Sequence, residues 1–162
     1  MSTLAYAQFT TKREEAQPRT STKSAPPGVQ TYVDALAALV PAEVLTLHGL
    51  ILSVTTKGDK GATTITAPET LSWAFLGLLV ISVGLYVVPR LLAKKWDALD
   101  WLRMLIPPLA FIGWTMLQRA TAFDAVFPHI LDPTRTVIAL FLAVVLGAGA
   151  AALAYKADQK QP

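Results

Sequence analysis

The stretch that most constrains this chain is LSWAFLGLLVISVGLYVVP, residues 71–89, which carries no Asp, Glu, Lys or Arg. As a helix rising 1.5 Å per residue it is about 28 Å long, close to the roughly 30 Å hydrocarbon core of a bilayer. A soluble fold of 162 residues would have to enclose it on every side within one ordinary domain. Residues 101–118 and 136–155 make two further long apolar runs, and short charged clusters separate them. Composition agrees: 53% of residues are hydrophobic and 15% charged, against about 25% charged in a soluble domain. Mean hydropathy is +0.46. The expected fold is an all-α, polytopic transmembrane helical bundle.

The rest of the chain is read around these runs. Residues 1–30 are polar, rich in Ser, Thr, Pro and Gln, and contain too little apolar surface to fold alone. They are expected to form a disordered cytoplasmic tail, with docking to a partner as the sharper alternative. The run from Leu4 to Phe9 is too short for the apolar region of a signal peptide. In residues 31–40, Val33, Leu36, Ala37 and Val40 share a helical face, which predicts a short amphipathic helix. Pro41 then suits a first helical position and Glu43 a first turn, so a new helix is expected over about 41–57. Gly58, Asp59, Gly61 and Pro68 punctuate residues 57–70 as a loop. Pro107 and Pro108 fall near the middle of 101–118, where they remove two backbone donors and predict a kink. Residues 120–133 are too short to span, and Pro128 argues for an interfacial turn. The last span is followed by a short polar tail, residues 157–162.

The spans can be counted from the loop charges. With four spans, Lys12, Arg13, Arg19, Lys23, Arg90, Lys94, Lys95, Arg103, Lys156 and Lys160 share one side, and Lys57, Lys60, Arg119 and Arg135 the other. If the first helix lies on the surface, three spans remain and the split falls to eight against six. The positive-inside rule therefore favours four spans, about 41–57, 71–89, 101–118 and 136–155, with both termini cytoplasmic. Size and charge bias together suggest a bacterial plasma membrane.

Residues able to carry chemistry are few. Glu43 and His48 are ionisable groups within one expected span, and such groups are functional candidates by default. Five residues apart, they stand about 140° from each other and make poor partners on one helix. Either they line an oligomeric pore, or Glu43 favours a helix start and a neutral His48 bonds a neighbouring helix; the second reading is preferred. Asp124, His129 and Asp132 cluster outside the spans, and Asp132 before Pro133 suits a helix start. Arg103 is expected to pair with Asp97 or Asp100. Ala143, Gly147 and Ala151 recur every four residues as a small-xxx-small ridge, and Gly77 and Gly84 make a second small stripe. Both stripes suit helix packing, within a monomer or between subunits.

Several function classes are excluded. Without cysteine there are no disulfides, thiolate nucleophiles or iron–sulfur ligands, and two histidines do not complete a usual zinc site. No serine triad, phosphate loop or H-E-x-x-H motif occurs. A net charge of +3 is too small to point to nucleic acid. No metal, cofactor or enzymatic activity is expected. The expected partners are the lipid bilayer and either a second copy or a membrane-complex partner. The chain reads as an anchor or structural subunit, with an oligomeric pore near Glu43 and His48 as the alternative.

Overall fold

The computed structural model describes residues 28–59, 62–94 and 96–158. In chain order the elements are α1 (Val29–Leu39), α2 (Ala42–Thr55), β1 (Thr56–Asp59), β2 (Ala62–Ile65), α3 (Pro68–Leu92), α4 (Asp100–Met116), α5 (Ala122–Val126) and α6 (Asp132–Asp158). The expected tail therefore lies almost wholly outside the described residues, and α1 already begins at Val29.

The break between α1 and α2 follows from one proline. A residue before proline is pushed out of the helical region, and Val40 is extended at φ −91°, ψ 137°. The two helices meet at a bend of 113°. Leu36, Val40 and Val44 are all buried, so one apolar stripe continues around the corner. At its far end α2 stops in threonines. Thr55 and Thr56 donate their hydroxyls to the carbonyls of Ile51 and Leu52, at 2.7 and 2.6 Å.

The expected loop over 57–70 is instead a β-hairpin. β1 and β2 pair antiparallel from Thr56↔Ile65 to Asp59↔Ala62. Thr66 closes its base by donating both its N–H (2.8 Å) and its hydroxyl (2.9 Å) to Thr55 O. Gly58 and Asp59, which read as loop punctuation, are themselves paired within β1, opposite Thr63 and Ala62, and β2 supplies Thr63, Thr64 and Ile65. β-branched side chains favour the extended pleated backbone.

Pro68 opens α3 at its first turn, beside Glu69. Leu71, Phe75, Leu78 and Ser82 form its buried stripe. α6 buries Ala139, Ala143, Leu146 and Ala150 in the same spacing. α4 is the inner helix, in contact with α1, α3, α5 and α6, while α2 packs on α3. Helix α4 runs without interruption through Pro107 and Pro108. Its last turns bury Ala110, Phe111, Gly113, Thr115 and Met116.

Helices α3 and α6 are each long and apolar enough to cross a membrane, and the bent pair α1–α2 makes a third if it is one span. Only 22% of the most apolar window of each long helix is buried inside the chain. Trp73, Val80 and Leu92 on α3, and Phe141 and Val145 on α6, are at least 65% exposed. Such surface is rare on a soluble monomer but is the natural outer face of a membrane protein.

Candidate functional site

The charged residues that sequence spacing scattered along the chain gather into two sets, with a lone histidine apart from both. The first set centres on Asp100, at the start of α4, whose side chain is fully buried. An isolated buried carboxylate is costly and persists only when paired and hydrogen-bonded. Here Tyr86 of α3 donates its hydroxyl at 2.7 Å, Asp97 its N–H at 2.8 Å, and Arg103 its guanidinium at 3.2 Å. Arg90 stands 3.6 Å away, with its guanidinium over the Tyr86 ring. Arg103 also donates to Leu153 O of α6 at 3.1 Å. One carboxylate thus ties together α3, α4 and α6. Arg103, expected to pair with Asp97 or Asp100, pairs with Asp100. Beside this set Trp96 and Trp101 meet edge to face at 5.6 Å, with Trp101 exposed.

The second set centres on Arg135, one turn into α6 and only 6% exposed. Its guanidinium pairs with Asp124 of α5 and, at 3.2 Å, with Asp132. It also donates to Gln118 O at 3.2 Å. Asp124 in turn accepts the Thr121 N–H at 2.9 Å, and Thr121 donates its hydroxyl to Thr115 O at 2.9 Å. The first of these contacts is half of a capping box, in which the Thr121 side chain in turn accepts the Asp124 N–H, so that otherwise unpaired backbone groups at the helix start have partners. Arg119 reaches Asp132 from the rim at 3.7 Å. Sequence spacing grouped Asp124, His129 and Asp132. The structure brings the two aspartates together through Arg135 and leaves His129 exposed. Arg135 itself was missed, although a lone arginine in the first turns of an apolar helix signals a buried partner. Among the described residues, no three His, Asp or Glu side chains are arranged to hold a metal ion.

His48 is fully buried on α2, between α4 and α5. Its Nε2 accepts the N–H of Ala122 at 3.4 Å, and its ring meets Phe111 and Trp114 edge-on at 5.4 and 5.5 Å. Glu43 is exposed in the first turn of α2. The two groups therefore stand on different faces, and His48 bonds a neighbouring element as the preferred reading expects.

The small residues divide in an unexpected way. Ala143 is buried, but Gly147 and Ala151 face outward. A methyl group added at Gly77, Gly84 or Gly147 would meet nothing within 4 Å. Gly84 lies in a shallow apolar hollow with Ile81, Leu85, Val88 and Pro89. The glycine that does permit close approach is Gly113. A Cβ there would sit 3.1 Å from Leu142 and 3.2 Å from Leu36.

No family model, curated protein or solved structure matches this chain.

Proposed function

We propose that this protein is a non-enzymatic membrane subunit that assembles by helix packing, with itself or a partner, and anchors or organises a complex. The observation that carries this reading is the outward placement of Gly77, Gly147 and Ala151 on the two long helices that are apolar enough to cross a membrane, with open space around Gly77, the half-buried Gly84 and Gly147. Small residues in that position allow a second helix to approach closely, and in lipid such packing is a main source of association. The pore reading has no comparable support. It requires Glu43 and His48 on one path, whereas one is exposed and the other enclosed by aromatic rings. Mass measurement in detergent by light scattering tests the subunit reading. A wild-type oligomer that Gly147→Leu splits supports it, and a strictly monomeric wild type that copurifies with no partner overturns it.

For topology we propose four crossings, with α4 as the inner span and both termini cytoplasmic, on the ten-against-four charge split. The 113° bend favours a second reading, in which α1 and α2 form a re-entrant pair. The two readings place residue 28 on opposite sides of the membrane relative to the C-terminus. Single-cysteine labelling at positions 28, 58 and 130 of the full chain distinguishes them. Four crossings leave position 28 on the side away from 58 and 130, and a re-entrant pair puts all three together.

A further inference from the structure

A hollow of about 390 Å³ opens between the hairpin and the α5–α6 corner. Its wall is formed by Thr63, Thr64 and Ile65 of β2, by Arg119 and Ala120, and by Asp124, Asp132 and Arg135. It is a shallow depression, widely open to the surface. Its level in the fold is set by its own residues. Asp132 is the first residue of α6, and Ile65 lies three residues before the start of α3. Both membrane-crossing helices begin here, so the hollow sits where the hydrocarbon core gives way to headgroups.

The charges in the wall differ sharply in how far they are committed. Arg135 and Asp124 are held by each other, by Gln118 O and by the Thr121 N–H. Arg119 is held only by a 3.7 Å contact to Asp132, with its side chain 87% exposed, while Asp132, 60% exposed, gives its other carboxylate oxygen to Arg135 at 3.2 Å. An exposed pair of that kind contributes little and opens readily. Two arginines balance two aspartates, so the wall has no net charge and a simple anion or cation would unbalance it. A ligand bearing both signs would not. A phosphate would take the Arg119 guanidinium and the hydroxyl of the exposed Thr63, and a primary ammonium the Asp132 oxygen that Arg119 gives up, the other oxygen staying on Arg135. Further along the first turns of α6, Val137 and Ile138 are exposed.

We propose that this hollow binds a phosphoethanolamine group, a phosphate carrying a primary ammonium, through Arg119 and Asp132. Its source is either a lipid headgroup or the free zwitterion. The test uses the full chain in detergent, offered equal amounts of phosphatidylethanolamine, phosphatidylcholine and phosphatidylglycerol, with retained lipid read by native mass spectrometry. Phosphatidylcholine has no N–H to donate to Asp132, and phosphatidylglycerol has no ammonium. Retention of phosphatidylethanolamine is expected to exceed both by about three- to tenfold, the range two exposed charge contacts provide. Arg119→Gln, which within the chain gives up only an exposed 3.7 Å contact to Asp132, should bring the three lipids near parity. Asp132→Asn should do the same, and because Asp132 also pairs with Arg135, a melting curve accompanies it. Displacement by millimolar free O-phosphoethanolamine assigns recognition to the headgroup alone. A preference that survives the free compound assigns it to the intact lipid. Equal retention of all three lipids by the wild type, or a preference unchanged in Arg119→Gln, overturns the proposal.

Discussion

Gly113 and Gly147 are both glycines inside helices, yet they do opposite things. Gly113 of α4 has Leu36 and Leu142 against it, whereas Gly147 of α6 has empty space. The contrast extends to the helices themselves. α4 has the proline pair and a buried carboxylate and sits inside, while the more uniformly apolar α3 and α6 are largely outside. In water the most apolar helix would be the most enclosed. In lipid the outside is as apolar as the inside, so position is decided by who can satisfy polar groups and pack closely. The comparison teaches that in this molecule burial follows polar need and shape, and hydropathy follows the bilayer.

The strongest way to break that comparison is at Asp100. Asp100→Ala leaves Arg103 and Arg90 without their shared carboxylate and removes the acceptor for Tyr86. Breaking a buried pair costs about 3–5 kcal/mol, and the lower end applies because the two arginine side chains keep 16% and 24% exposure. A clear fall in thermal midpoint in detergent is expected. A midpoint equal to wild type would mean that this carboxylate does not hold α3, α4 and α6 together.

Overpacking at the inner glycine comes next. Gly113→Leu forces bulk against Leu36 and Leu142, and such insertions cost about 1–3 kcal/mol. The expected result is lowered stability of the monomer, read from the same melts. The smallest intrachain effect belongs to Gly147→Leu, which has room within the chain and should change monomer stability by under about 0.5 kcal/mol. Its expected effect is on association, so mass and melting temperature should separate: Gly113→Leu lowers the midpoint, and Gly147→Leu lowers the mass. Equal losses of stability at the two sites would erase the difference between inner and outer helices.

Legibility followed the range of the interactions. The break at Val40–Pro41 was readable because proline acts on its immediate neighbour. The opposing faces of Glu43 and His48 were readable because helical spacing is local. The hairpin was hidden because Gly58 and Asp59 read as loop residues, whereas both pair within β1 with partners on β2. The ridge Ala143, Gly147, Ala151 was only partly placed. The buried stripe of α6 is Ala139, Ala143, Leu146 and Ala150, and a small residue carries no mark of which side its neighbour will occupy. The Arg135 set was out of reach because it joins Gln118, Asp124 and Asp132 through a residue that spacing alone leaves unremarkable.

The sequence by itself determined that the chain has helices long and apolar enough to cross a membrane, where those helices run, and where proline divides them. Those properties depend on transfer free energy and backbone sterics, which act on residues near one another along the chain. Only the tertiary structure decided that Asp100 and Arg135 are the buried hubs, that His48 faces Ala122 across 74 positions, and that Gly113 rather than Gly147 is the close contact. Each of those depends on which distant partner arrives, and a partner's arrival is set by the packing of whole helices.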